Sequence, residues 1–380
     1  MVEIKRKIGE SNTDYKIRVF IAKQCDDSIT WKDVADILNT EFNTDYDREK
    51  YRSEWRRMDK KTILDPQVVE AKKEKIKAQM ERTQVNATIR SQTRNEYFGE
   101  LALNIASKLS KERMLEIPKK IKIKENRKIG TLAIGDWHYG LEVSNYWNDF
   151  NPEICKERVS KLLKKTLKII KDENITLLNI VNLGDMISGG IHQQLRINSR
   201  LDVATQVIEV EEILAEFLNE LSRNVKIIYT AVSDNHSRFD ANKDKEIRAE
   251  QFSRLIQNTL KIRFKENPNI IFNENTVCDD IGTFNIFEYK VGAVHGDRDT
   301  QKKIITNLNM YLQEHFDLLL TAHLHHFSAN EENNTMFLAI GSLCGGDDFT
   351  EKLRLNSKPS QLMVISTKEN VTEKIYKINL

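Results

Sequence analysis

Five apolar runs, each giving way at its end to aspartate, asparagine or histidine, constrain this chain more than any other feature of its sequence. They are TLAIGD (131–136), ITLLNIVNL (175–183), VKIIYTA (225–231), VGAVHGD (291–297) and DLLLTAH (317–323). Short continuous apolar runs bounded by turn residues read as buried strands. Amphipathic helical patterns fall between them, at 153–171, 201–222, 244–262 and 299–315. TMFLAI, QLMVIST and VTEKIYKI add strands toward the C-terminus. Strands alternating with helices predict an α/β layered domain of about 250 residues, long enough to bury a large core.

The residues that follow the strands have metal-ligand chemistry. The first run leads into Gly135, Asp136, Trp137 and His138, and the second into Gly184 and Asp185. After the third come Ser233, Asp234, Asn235 and His236. The fourth gives His295, Gly296 and Asp297, and the fifth His323, Leu324 and His325. Polar residues at the carboxyl ends of several strands converge on one crevice of an α/β sheet. Asp, Asn and His without Cys suit hard or borderline divalent ions such as Mn²⁺, Fe²⁺ or Zn²⁺. Taken singly, each piece also reads as an ordinary turn or a structural histidine, and His192, His315 and His326 are read as structural; the five in order are another matter.

In that order, D-x-H, G-D, N-H, H and H-x-H, the constellation resembles the metallophosphoesterase (calcineurin-like phosphoesterase) superfamily over roughly 130–345, most of all its phage-type members and more distantly the double-strand-break-repair exonucleases. The resemblance implies a layered β-sandwich flanked by helices around two divalent metal ions. Mn²⁺ is the leading expectation, with Fe²⁺, Zn²⁺ or Mg²⁺ as alternatives. It assigns Asp136, His138, Asp185 and His325 to one metal, and Asp185, Asn235, His295 and His323 to the other. Asp185 then bridges, and His236 is the catalytic histidine beside the scissile phosphate. In such centres two cations about 3.5–4 Å apart lower the pKa of a shared water and neutralise phosphoryl oxygens. Two departures stand out. The third motif carries Asp234 for the usual glycine and Ser237 for the acidic residue that orients the histidine, and the fifth carries Ala322 for glycine. Arg238, directly after the third motif, and then Arg196 and Arg200 are expected to hold substrate phosphates. GSLCGGDDFT (341–350) is expected at the crevice rim.

The front of the chain differs in character. Residues 1–128 carry 30 basic against 22 acidic side chains, a surplus of eight, whereas 129–380 carry 29 against 35 and all eight histidines. A basic front suits a polyanion partner, and an acidic, histidine-bearing remainder suits cations. Ser28 and Thr30 precede a helical pattern in which Trp31, Val34, Ile37 and Leu38 share a face, and Thr30 with Asp33 resembles a capping arrangement. After a turn at Asn43 and Thr44, a second helix sets Tyr51, Trp55 and Met58 on one face and Arg48, Arg52 and Arg56 on another. Two short helices, the second with an arginine row, resemble a helix-turn-helix unit, so Arg48, Arg52 and Arg56 are candidate DNA contacts; a small bundle with a solvated basic face is the plainer reading. Residues 66–115 favour helix but are too sparsely apolar for a coiled coil, and PKKIKIKENRK (118–128) reads as a strand or basic linker. The expected division is therefore a helix-turn-helix-like basic domain at 1–65, a helical connector with linker at 66–127, and a metallophosphoesterase domain at 128–380.

Other classes recede. No apolar run approaches the roughly 18–20 residues of a membrane span, and MVEIKRKIGESNTDYK lacks a secretory apolar stretch. Cys25, Cys155, Cys278 and Cys344 stand too far apart for a structural zinc motif and read as reduced cytosolic thiols. The expectation is a cytoplasmic, dinuclear-metal-dependent phosphodiesterase acting on nucleic acid, with DNA first. A phosphatase or phosphodiesterase for small nucleotides, and a DNA-binding regulatory protein with a weakly active metal domain, are the alternatives. A homodimer fits the resemblance, although no stretch of sequence marks its surface.

Overall fold

The computed structural model describes the chain except for residues 1–3, 59–65, 110–114, 123–127, 192, 241, 244–245, 248–249, 348–349, 352–353 and 355. His192 and part of the basic segment 118–128 therefore lie outside the described residues. The chain divides into two compact units, Met1–Ser107 and Lys108–Leu380.

In the first unit three short helices, α1 (Asn12–Cys25), α2 (Trp31–Phe42) and α3 (Arg48–Arg57), share one small core. Tyr15, Val19, Phe20, Val34, Leu38, Tyr51 and Trp55 fill it. Each helix starts on a side-chain cap, from Ser11, Thr30 and Asp47, and Thr30 with Asp33 completes a capping box. Asn39 sets the turn into α3: its Oδ1 accepts from Tyr51 Oη at 2.8 Å and its Nδ2 donates to the Tyr46 carbonyl. Asn43, in left-handed conformation at φ 50°, ends α2. Arg48, Arg52 and Arg56 lie exposed on α3, Arg52 within 3.3 Å of Glu49. The fourth helix, α4 (Pro66–Leu109), is exposed all round from Lys73 to Ile89.

The second unit is a two-sheet sandwich. The larger sheet runs in the order β13 (Lys374–Asn379), β12 (Ser360–Ser366), β1 (Ile129–Ile134), β4 (Leu177–Asn182), β5 (Lys226–Ala231), β6 (Ile270–Phe272). From β1 to β6 its strands are parallel, while β12 and β13 run antiparallel. The smaller sheet is ordered β10 (Ser328–Glu332), β11 (Thr335–Ala339), β9 (Leu318–Thr321), β8 (Tyr289–Val294), β7 (Ile281–Ile286), with β8, β9 and β11 parallel. A short hairpin of β2 (Val143–Ser144) and β3 (Asp149–Phe150) follows β1. Ala133, Val181, Leu183 and Val232 from one sheet meet Val291, Ala293, Leu320 and Leu338 from the other in a shared core. Helices α5 (Pro152–Asp172), α6 (Gln193–Asn198), α7 (Val203–Ser222), α8 (Phe252–Arg263) and α9 (Ile304–Leu312) complete the α/β layering.

Two helices are shorter than their patterns. Among the described residues of the segment expected from 244, α-helix begins at Phe252, whose N donates to the Ser237 carbonyl and ties the chain back to the third ligand loop. The segment expected from 299 begins at Ile304, after a turn in which Lys303 N donates to Thr300 O. Within 118–128, Lys119 and Ile121 have no regular structure but are pinned by buried Asn269, whose Nδ2 donates to Lys119 O and whose Oδ1 accepts from Ile121 N. Among the described residues no helix is long and apolar enough to cross a membrane.

Glu173, at the end of α5, ties the larger sheet's edge to its centre. Its buried carboxylate accepts from Lys128 Nζ at 2.7 Å, Lys374 Nζ at 2.8 Å and Tyr376 Oη at 2.6 Å. These three donors hold it down to about 2, against 4.5 for a free glutamate. Its contribution is therefore complete above pH 4.5 and disappears as pH falls toward 2. Glu173→Gln should cost about 1–2 kcal/mol at pH 7, modest because both lysines are partly solvated. Urea melts at a series of pH values should show wild type and variant converging toward pH 2; a gap independent of pH would contradict this role.

Candidate metal centre

All five ligand-bearing loops leave the sandwich at one end, because the strands that precede them, β1, β4 and β5 in one sheet and β8 and β9 in the other, run parallel within each sheet. Past their last residues the loops stay in register. Asp136 N donates to Gly184 O and His138 N to Asp185 O, both at 3.0 Å. Trp137, between the two candidate ligands, is buried and donates from its indole to Gln361 Oε1. Asp136, His138, Asp185, His323 and His325 all have positive φ, between 47° and 65°. Five of seven candidate ligands thus occupy a backbone region that non-glycine residues seldom visit, a form of strain concentrated at functional sites.

The side chains meet in two groups. Asp136, His138, Asp185 and His325 bring ligand atoms within 4.8 Å of one another, as do Asp185, His295 and His323. Asn235 joins the second group, its Oδ1 lying 2.9 Å from His295 Nε2. Asp185 Oδ2 belongs to both. It is buried, with His295 Nε2 at 3.2 Å, His236 Nε2 at 3.7 Å and His138 Nε2 at 3.9 Å. A buried carboxylate is costly unless positive charge compensates it, and a cation does so. His138 Nε2 and His325 Nε2 stand 3.0 Å apart. Neighbouring ligands about 2.0–2.2 Å from a common ion lie at roughly that separation. The donor set therefore fits two divalent ions.

Without a cation, burial and mutual charge pull the ligand groups in different directions. Burial pushes Asp136 up, with Asp185 adding to it. Burial would also raise Asp185, but His236, His295 and His138 hold it well below the ordinary aspartate range, so it stays a carboxylate. Burial, reinforced by His236 and His325, drives His138 far down, and burial with His295 takes His323 down to about 4. Neutral imidazole is the ligating form. His295 goes the other way: burial opposes its charge, yet Asp185, Asp136 and Asp234 raise it to about 10.

His236 is set by a partner that the sequence does not announce. Its Nδ1 lies 2.8 Å from the Ser188 carbonyl, which only accepts, so Nδ1 carries the proton and Nε2 faces the Asp185 carboxylate. Ser237 does not orient it. The Ser237 hydroxyl donates to Asp234 Oδ2 and its amide to Oδ1, and burial beside Asp185 raises Asp234 to about 8. Gly189, at φ 67°, is required here because a Cβ would stand 2.1 Å from the His236 carbonyl.

Other expected residues fall elsewhere. Arg238 is buried, and its Nε donates to the Asn235 carbonyl, bracing the ligand loop. Arg196 is exposed on α6, against Gly190, and Arg200 pairs with Glu153 at 3.1 Å. His315 is exposed, and His326 Nδ1 lies 2.8 Å from Leu324 O. The segment Gly341–Asp347 is buried rather than at a rim. The amides of Leu343 and Cys344 and the Ser342 hydroxyl all donate to the Asp136 carbonyl. Gln361 in β12 was not anticipated. Its Oε1 accepts from Gly135 N and Trp137 Nε1, and its Nε2 donates to Gly135 O and Gly341 O. The signal for it is a lone amide inside the apolar run SQLMVIS.

Comparison with known proteins gives relatives for both parts of the chain. Residues 1–63 match the YonJ N-terminal domain family. Over 390 aligned positions the chain is 24% identical to the SPbeta prophage-derived uncharacterized protein YonJ of Bacillus subtilis (strain 168), covering 94% of this chain and 93% of that protein. Among solved structures it is similar to an archaeal phosphodiesterase, at 17% identity and TM-score 0.33 over 67% of this chain and 99% of the other. It is likewise similar to Vacuolar Protein Sorting 29 from Cryptosporidium parvum, at 16% identity and TM-score 0.33 over 67% and 100%.

Calorimetric titration with Mn²⁺ should find two ions per chain. Saturation at 100 times the dissociation constant should stabilise the fold by about 2.7 kcal/mol per site. Asp185→Asn should weaken both sites, whereas His295→Ala should weaken one. Loss of a single site in Asp185→Asn would contradict the shared position of its carboxylate.

Proposed function

We propose that this protein hydrolyses phosphodiester bonds in DNA with two divalent metal ions. The observation that carries the reading is the fully buried Asp185 carboxylate, a member of both ligand groups. Asp136, His138, Asp185 and His325 would hold one ion, and Asp185, Asn235, His295 and His323 the other. Bound there, the ions would supply positive charge against the phosphoryl oxygens and a nucleophile at neutral pH. The chain's own residues account for the rest. Asp185, kept ionised by its imidazole neighbours, fixes the spacing of the two groups. His236, locked by Ser188 with Nε2 inward, would pass a proton at Nε2 to the leaving oxygen, a contribution typically of about 10²–10⁴ in rate. Leu343, Cys344 and Ser342 fix the Asp136 backbone so that its carboxylate need not reorganise.

DNA as substrate is supported by the charge surplus of residues 1–128 and by Arg48, Arg52 and Arg56, solvent-facing on α3 of the three-helix bundle. Arginines on phosphates supply affinity without sequence choice and make it salt-dependent.

Purified protein with Mn²⁺ should cut linear DNA, and His236→Ala should lower kcat about 10²–10⁴-fold while still binding metal. Near wild-type turnover in that variant would remove His236 from the mechanism. The triple variant Arg48→Ala, Arg52→Ala, Arg56→Ala should weaken DNA binding and flatten its salt dependence, leaving a small chromogenic diester unaffected. Cleavage of that diester without cleavage of linear or circular DNA would favour a small-nucleotide enzyme.

A further inference from the structure

Tyr146 and Trp147 form the tip of the β2–β3 hairpin and are 86% and 64% exposed. Their rings pack edge to face with centroids 4.6 Å apart. Two large aromatics projecting side by side into water usually mark a contact surface.

The hairpin that carries them is fixed to the metal centre. Asn145 Oδ1 accepts from the amides of Trp147 and Asn148, and Asn148 Nδ2 donates to the carbonyls of Cys344 and Gly346 at 2.9 and 2.8 Å. Arg158 donates to the carbonyls of Leu343 and Cys344 and to Asn148 Oδ1, and its guanidinium lies 5.3 Å from the centre of the Phe150 ring. Leu343 and Cys344 are the residues whose amides hold the Asp136 carbonyl. One residue and two hydrogen bonds thus separate candidate ligand Asp136 from Asn148, a path of about 10 Å. Beside Trp147 opens a cavity of about 260 Å³ bordered by Asn145, Asp347, Thr350, Glu351, Arg354 and Asn356. Liquid water occupies roughly 30 Å³ per molecule, so the space admits a planar ring system with amide, hydroxyl, carboxylate and guanidinium groups around its edge.

Resting on the DNA-hydrolysing reading, we propose that Tyr146 and Trp147 stack the unpaired bases of a single strand beside the metal centre. Paired bases hide their faces within the duplex, whereas unpaired bases present them to aromatic side chains. A platform braced by Asn148 and Arg158 needs little ordering when a base arrives. The edge of the cavity suits base edges rather than phosphates: the carboxylates of Asp347 and Glu351 can accept from exocyclic amino groups, and Asn145 and Asn356 can both donate and accept.

The test uses the full chain with Ca²⁺ and fluorescein-labelled single-stranded and duplex oligonucleotides read by anisotropy. The double variant Tyr146→Ala, Trp147→Ala should raise the single-strand Kd about 10- to 100-fold and leave the duplex Kd within a few-fold. Trp147→Phe should keep most of the affinity, and all variants should hydrolyse a chromogenic diester with Mn²⁺ at the wild-type rate. An unchanged single-strand Kd, or equal loss for the duplex, would overturn stacking and assign the aromatic pair to a protein partner. The hydrolytic reading fails separately: wild-type protein that cleaves neither DNA nor diester sinks it, while the anisotropy comparison still decides stacking.

Discussion

A buried carboxylate pressed among three imidazoles organises the second unit. Asp185 Oδ2 has the Nε2 atoms of His295, His236 and His138 within 3.9 Å. An isolated charge at such depth would be strongly destabilising, so its neighbours decide whether the site is tolerable. Two of the nearby histidines, His138 and His323, are driven toward neutrality and offer lone pairs, while His295 is held charged against the Asp185 carboxylate. Divalent cations resolve that frustration more completely than protons do, because one ion can satisfy several lone pairs at once.

The sandwich supplies what this cluster needs. Parallel strands in both sheets deliver their loops to the same end, and the left-handed corners at Asp136, His138, Asp185, His323 and His325 lie within two to four residues of the strand ends. That conformation is unfavourable for residues with a Cβ, and here it is offset by hydrogen bonds that pin the backbone. Gln361 clamps Gly135, the buried loop 341–347 holds the Asp136 carbonyl, and His323 N donates to the Asp136 carboxylate. The loop that steadies Asp136 also anchors the aromatic hairpin, so metal ligands and the proposed stacking platform share one rigid frame.

Much of this arrangement is legible in the sequence, because strand ends and ligand types are local signals. The runs before Asp136, Asp185, Asn235, His295 and His323 correspond to β1, β4, β5, β8 and β9, and the capping box at Thr30 is present at the start of α2. What escapes depends on partners distant in the chain. Ser188 holds His236 across 48 residues, and Gln361 reaches Gly135 across 226. No local pattern marks a carbonyl as the orienting partner of a histidine. The true start of α8 is similarly hidden, since it is set by the bond from Phe252 back to Ser237 rather than by helical periodicity. The edge strand SANEE is polar and largely exposed, so it lacks the apolar signature of the inner strands. The exposed pair Tyr146 and Trp147 has no periodic signature either, and only the folded hairpin shows that both project outward together.

Anomalous diffraction from a crystal grown with Mn²⁺ tests the central claim most directly. Two peaks should flank the Asp185 carboxylate, about 3.5–4 Å apart, with His138 and His325 beside one and Asn235, His295 and His323 beside the other. One peak with Asp185 at its margin, or no signal at saturating Mn²⁺, would contradict a paired-metal centre built around that side chain.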